Sequence, residues 1–317
     1  MDALGVDVKG VWPRSPSGWR RVIEDDGRWL NFRDEWGVVR SMPKDGGCYY
    51  DATWAPLAGA IGEADLRAFA WPDPTDDARY EGMAAEARTI ARVERRATYV
   101  GSICSGITEV YFRLRGYEDG YADLKAAPGF ARSIMERVLE IKLAYWERTL
   151  AELGDDVDVV GEGDDLGGQR STLFSPETYR TLVKPLHAQL FEFIRSRTRA
   201  RVFLHSCGAI RPLIPDLIEI GVDVLNPVQV SASGMESDAL KRDFGRDLVF
   251  WGGGVDSQRV LGSGTPDEVR ADVRRRIADL KPGGGFVFAA VHDIQPNVPP
   301  ENIMAMWETL EEHGRYD

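Results

Sequence analysis

Beyond about Ala97, short apolar runs alternate with long amphipathic stretches. The runs lie at 98–101, 157–161, 202–205, 222–226, 248–252 and 286–290. They are rich in β-branched and aromatic residues and nearly continuous in hydrophobicity, the pattern of parallel strands buried on both faces. Between them the period changes. Ile134, Val138, Ile141 and Tyr145 step by four, three and four, which predicts a helix over 129–153 with one apolar stripe. Ser175-Pro176 opens another helix, with proline at its first position. Thr265, followed three residues later by Glu268, is a capping-box signature for a helix reaching about Leu280. Pro299-Pro300-Glu301 starts the last one. The first third reads differently. Trp29, Leu30, Phe32, Trp36, Val38 and Val39 alternate around Gly37 and predict a β-hairpin that caps the main body. Residues 44–47 read as a turn, and the proline-rich stretch 71–77 as a linker.

Repeated strand–helix units predict a parallel α/β fold. A doubly wound sheet and a closed (β/α)8 barrel compete for it. No G-x-G-x-x-G follows any strand; Gly252-Gly253-Gly254 and Gly283-Gly284-Gly285 read as tight loops. Polar residues instead gather at the C-terminal ends of several strands: Asp164 and Asp165, His205 and Cys207, Asn226 and Gln229, His292 and Asp293. Function collected from many strand ends is the barrel pattern. The expectation is one TIM-like barrel domain over 1–317, with a hairpin and linker insertion at 20–75.

The charge balance narrows the partners. Thirty-nine basic against 51 acidic residues give a net charge of −12. This argues against nucleic acid, which needs clustered Lys and Arg, and against anionic membranes. The first residues have neither the basic nor the apolar region of a signal peptide, and no run of about 18 apolar residues occurs. Three cysteines, Cys48, Cys104 and Cys207, are too few for a disulfide framework and fit a reducing, cytoplasmic setting. The four histidines are His187, His205, His292 and His313.

His205-Ser206-Cys207 is the sharpest chemical signal. Residues two apart on a strand project to one side, so a nitrogen and a sulfur would both face the barrel mouth. Zinc favours that donor set, although a buried cysteine beside a backbone-bonded histidine has the same spacing. His292 ends the last strand, as a third ligand, a helix cap or a substrate-binding group. Asp164 and Asp165 follow the second predicted run; they suit general acid–base work, or a turn that bonds local amides. Arg170 can receive a substrate carboxylate or pair with either aspartate. Asn226 and Gln229 are candidate substrate-binding amides, and a hydrogen-bonded loop amide is the plainer reading of Gln229. Cys48 and Cys104 read as structural, His187 and His313 as surface or packing residues.

These residues carry a resemblance. Gly163-Asp164-Asp165-Leu166-Gly167, Phe203-Leu204-His205-Ser206-Cys207-Gly208, the stretch 221–229, Phe250-Trp251-Gly252-Gly253 and the stretches 291–295 and 298–302 resemble the uroporphyrinogen decarboxylase superfamily. That superfamily also holds zinc-dependent corrinoid methyltransferases, and the likeness is close from about Val157 to His313. It implies a (β/α)8 barrel. Authentic decarboxylases carry an M-R-Q-A-G-R substrate motif that this sequence lacks. The methyltransferase branch binds zinc through H-x-C and a distant cysteine. Here His205 and Cys207 match the first two, and His292 stands third, where the decarboxylases also carry histidine. Leu4-Gly5-Val6-Asp7-Val8 is similar to the relatives' second strand, so the barrel is expected to lack its first.

The resemblance implies a methyltransferase of the branch that moves a methyl group between a corrinoid and a thiol or methoxylated molecule. The cofactors would be Zn2+ and a corrinoid on a partner protein, with His205, Cys207 and His292 as metal ligands and Asp164 or Asp165 orienting substrate or moving a proton. Metal-free decarboxylation of a tetrapyrrole is the alternative reading. A non-catalytic barrel that binds a corrinoid or porphyrinoid is a third. A homo-oligomer is compatible with each.

Overall fold

The computed structural model describes residues 5–60 and 62–316. It divides into two compact units, Met1–Asp164 with Thr178–Arg201, and Asp165–Glu177 with Val202–Asp317.

The first unit contains two sheets. Strands β1 (Val8–Val11), β6 (Ala97–Gly101) and β7 (Val159–Gly163) run parallel, with β6 in the middle; Val8 pairs with Ala97, and Tyr99 with Val159. Strands β2 (Glu24–Asp25), β3 (Trp29–Arg33), β4 (Val39–Pro43) and β5 (Asp51–Trp54) form an antiparallel sheet in that order. The predicted hairpin is its centre, in register from Trp29 opposite Pro43 to Arg33 opposite Val39. Asp34 shapes the turn: its Oδ1 accepts the amide protons of Trp36 and Val38, each at 3.0 Å. Gly37 turns there at φ 75°, a left-handed conformation that glycine adopts without steric cost.

The N-terminal strand is displaced from its expected place. Leu4 lies outside the described residues, and the strand that forms is Val8–Val11. Strand β7 likewise begins two residues late, because Asp158 turns its carboxylate to the Thr98 amide (2.8 Å). The helix Pro128–Leu153 matches the predicted span, and Ile134, Val138, Ile141 and Tyr145 are all buried.

The second unit carries β8 (Arg201–His205, entering it at Val202), β9 (Val224–Asn226), β10 (Val249–Trp251) and β11 (Phe286–Val287), parallel and in that order. Phe203 pairs with Val224, His205 with Asn226, and Phe250 with both Leu225 and Phe286. Val202, Leu204, Leu225 and Phe250 are buried, as expected of strands covered on both faces. The helix Pro266–Leu280 starts at the predicted capping box: Thr265 Oγ1 accepts the Glu268 amide proton at 3.3 Å, and Glu268 Oε2 accepts that of Thr265 at 2.7 Å. The last helix is Pro300–His313.

The fold is α/β and TIM-like. Its parallel set has seven members among the described residues, three in the first unit and four in the second. No helix among those residues is long and apolar enough to cross a membrane.

Candidate metal centre

His205 is the last residue of β8, and the register sets Asn226 opposite it. The Asn226 amide donates from Nδ2 to the Trp251 carbonyl oxygen at 2.8 Å. Its Oδ1 therefore faces His205 Nδ1, 2.6 Å away, and as an acceptor it requires that nitrogen to carry the proton. The Nε2 lone pair of His205 is left clear. It lies 3.3 Å from Cys207 Sγ and 3.7 Å from Asp165 Oδ1.

His292 completes the group. Ligand atoms of His205, Cys207 and His292 all lie within 4.8 Å of one another. The His205 and His292 rings meet edge to face, with centroids 5.5 Å apart. His292 sits at φ 66°, where a side-chain-bearing residue costs on the order of 1–3 kcal/mol. Its Nδ1 accepts the Asp293 amide proton at 2.8 Å, which directs Nε2 away from its own backbone. Tetrahedral zinc, with bonds of about 2.0–2.3 Å, holds its donors roughly 3.3–3.8 Å apart. His205 and Cys207 have that spacing now, and the outer limit of 4.8 Å leaves His292 about an ångström to close. Two imidazoles and a thiol are good zinc chemistry, so the residues fit the metal.

The loops that carry this group are packed backbone on backbone. A β-carbon on Gly208 would meet the Gly167 carbonyl oxygen at 2.2 Å, and one on Gly167 would meet the Ala209 nitrogen at 2.8 Å. The Ala209 amide donates to the Gly168 carbonyl at 2.8 Å.

The adjacent aspartates have different settings. Asp165 is half-buried, and its Oδ1 accepts the Cys207 amide proton at 2.8 Å. Asp164 is buried in the first unit. It accepts from the Thr108 amide (2.8 Å), Thr108 Oγ1 (2.5 Å) and the Glu109 amide (2.9 Å), and bonds His187 Nε2 at 3.0 Å. Burial alone would raise its pKa. The His187 bond and charge, with the Thr108 bonds, outweigh that and hold the carboxyl below its ordinary 3.8. Asp164 thus anchors the start of the helix Ile107–Arg115, at a position where the sequence predicts a catalytic carboxylate. Both its oxygens are hydrogen-bonded within the first unit.

The sequence profile of the uroporphyrinogen decarboxylase (URO-D) family matches residues 57–313. The chain belongs to the uroporphyrinogen decarboxylase family. A curated relative, the uroporphyrinogen decarboxylase of Alkalilimnicola ehrlichii, is 25% identical over 254 residues. That match covers 78% of this chain and 66% of the relative, just under two thirds of its length. Among solved structures, a methyltransferase from Methanosarcina mazei superposes with a TM-score of 0.60 at 21% identity, covering 84% of this chain and 73% of that one. The latter likeness establishes the shared fold.

Other sequence-predicted residues of this URO-D family chain divide in the same way. Gln229 is buried, with Oε1 accepting from the Gly208 amide (2.8 Å) and Nε2 donating to Gln169 Oε1 (2.9 Å). Its amide holds the loop, the plainer of the two readings of this residue. Asn226 bonds the candidate ligand His205, where a substrate contact was expected. Arg170 is exposed. Burial pushes the Cys104 thiol up to about 12, in keeping with a structural cysteine. His187 is buried against Tyr179, whose hydroxyl lies 3.3 Å from its Nδ1. Sequence reasoning missed a buried ion pair, Lys142 Nζ to Glu162 Oε2 at 2.6 Å, with side chains 0% and 2% exposed. Its one signal is a lysine directly after Ile141, on the apolar stripe of a long helix.

Proposed function

We propose that this URO-D family protein is a zinc-dependent methyltransferase, moving a methyl group between a corrinoid on a partner protein and a thiol or a methoxylated small molecule. The observation that carries the reading is the His205–Cys207–His292 donor group, whose ligand atoms gather within 4.8 Å. Zinc held there would supply a Lewis acid, able to acidify a thiol or polarise an ether oxygen. The chain's own residues do the rest. Asn226 keeps the proton on His205 Nδ1, so Nε2 stays a donor. Asp165 fixes the Cys207 backbone, and its Oδ1, 3.7 Å from His205 Nε2, would accept the proton of a thiol that enters beside that nitrogen. With three protein donors, zinc held there would have room for a substrate thiol or ether.

Metal-free decarboxylation of a tetrapyrrole is the second reading, favoured by the name of the Alkalilimnicola ehrlichii relative. One experiment separates them. Wild type, Cys207→Ser and chelator-treated protein are assayed for methylation of a free corrinoid and for consumption of uroporphyrinogen. Serine replaces a soft ligand with a poor one at nearly the same size. Methyl transfer should fall by orders of magnitude in both treated samples. Chelator-insensitive loss of uroporphyrinogen would overturn the methyltransferase reading. One zinc per chain with no turnover of any methyl donor would leave a non-catalytic binding barrel.

A further inference from the structure

A second cavity, of about 440 Å3, lies wholly within the first unit and includes none of the metal-centre residues. Its volume is in the range that holds one small molecule. Its walls come from residues 13–21 after β1, the β3–β4 hairpin, Tyr50, Arg79, and the loop after β6 with the helix Ile107–Arg115. Four aromatic rings face it, from Trp19, Phe32, Trp36 and Tyr50. Phe32 and Tyr50 meet edge to face at 5.0 Å, and Trp36 is buried against Trp71 at 6.4 Å.

The charge of this lining runs against the charge of the chain. Five arginines and two acids line it, in a sequence where acids outnumber bases by 51 to 39. Four of the five arginines are matched by a carboxylate. Arg40 Nε bonds Asp34 at 2.8 Å, and the buried Arg79 pairs with Glu35. Arg113 bonds Glu109 at 2.7 Å, and Arg14 lies 3.7 Å from Glu81. Arg21 has no carboxylate partner among the described residues. Its guanidinium rests 4.6 Å from the Phe32 ring centroid, held at the lining by a cation–π contact. The site therefore has aromatic walls, suited to a flat ring, and one guanidinium in excess. A guanidinium presents a planar fork that matches a carboxylate.

We propose that this cavity binds a small aromatic carboxylate, its ring among the four aromatic side chains and its single negative charge on Arg21. The proposal does not require the metal centre, because no candidate ligand lines the cavity.

Calorimetric titration with benzoate tests it, against benzamide (same ring, no charge), cyclohexanecarboxylate (same charge, no flat ring) and inorganic phosphate. Benzoate should bind at roughly millimolar Kd or tighter. Benzamide and phosphate should each be at least about tenfold weaker, the step that one charge-assisted hydrogen-bonded contact of ~1.4 kcal/mol supplies. Cyclohexanecarboxylate should also bind less tightly than benzoate. Arg21→Met should remove the preference for benzoate over benzamide, and its melting curve should match wild type, since Arg21 is exposed. Should that variant melt early, Arg21→Lys keeps the charge without the fork and should bind benzoate with intermediate affinity. Equal affinity for benzoate and benzamide, a preference unchanged in Arg21→Met, or no binding heat would each overturn the proposal. Chelator-treated protein should bind benzoate as wild type does. Protein that takes up no zinc in reducing buffer yet binds benzoate would thus fault the metal reading alone, and protein that holds zinc but binds no benzoate would fault this one alone.

Discussion

Glu162 and His205 have equivalent places near the C-terminal ends of their strands, β7 in the first unit and β8 in the second. Their surroundings are opposite. Both oxygens of Glu162 are taken, Oε2 by Lys142 and Oε1 by Ser102 Oγ (2.8 Å) and Trp146 Nε1 (2.5 Å), and its side chain is 2% exposed. His205 has one nitrogen bonded to Asn226 and the other facing a thiol, with 30% of its side chain exposed. A polar residue at a strand end is thus no sign of chemistry by itself. What matters is whether its neighbours exhaust its lone pairs and protons.

This contrast yields tests of decreasing size. Lys142→Met leaves the Glu162 charge buried without its partner and should cost about 3–5 kcal/mol in urea unfolding, whereas adding Glu162→Leu should recover much of that loss. If the single variant were as stable as wild type, the first network would not be the structural one. Cys207→Ala should release more zinc than His292→Ala, because the thiolate is the one anionic donor in the set. Metal analysis after dialysis decides it, and equal retention in the two variants would remove Cys207 as the main ligand.

Asn226→Ala frees His205 to change tautomer. It should weaken zinc binding by about 10–100-fold, with little change in the melting curve of the metal-free protein. The smallest effect is acid sensitivity. Asp164 has a folded-state pKa below its ordinary 3.8, so its stabilisation is complete above that value and is lost as pH falls through the folded one. A melting-temperature series below about pH 4 should fall more steeply for wild type than for Asp164→Asn. Parallel slopes would show that the charge of Asp164 contributes nothing there.

The legible features were those fixed by local periodicity. The stripe Ile134, Val138, Ile141 and Tyr145, the Thr265–Glu268 cap and the alternation around Gly37 each depend on neighbours a few residues apart, and each formed as expected. The expected H-x-C pair also lies close, because strand spacing alone brings residues 205 and 207 together. The partners of side chains were not legible. Asp164 and Asp165 are adjacent and chemically identical, yet one bonds Thr108, 56 residues away, and the other the Cys207 amide. The same holds for Gln229, whose amide meets Gly208 and Gln169 across turns of unpredictable shape. The Lys142–Glu162 pair was not legible either, since its two charges lie on different elements.

The glycine contact between residues 167 and 208 bears on how fast the site can be entered. Loops locked at their backbones do not swing open as lids, which move in microseconds to milliseconds. Access to Cys207 then depends on side-chain rotation, a process of picoseconds to nanoseconds at partly exposed positions. Relaxation dispersion should find the amides of Gly167 and Gly208 quiet, so a small ligand would meet this centre at a rate set by diffusion rather than by gating.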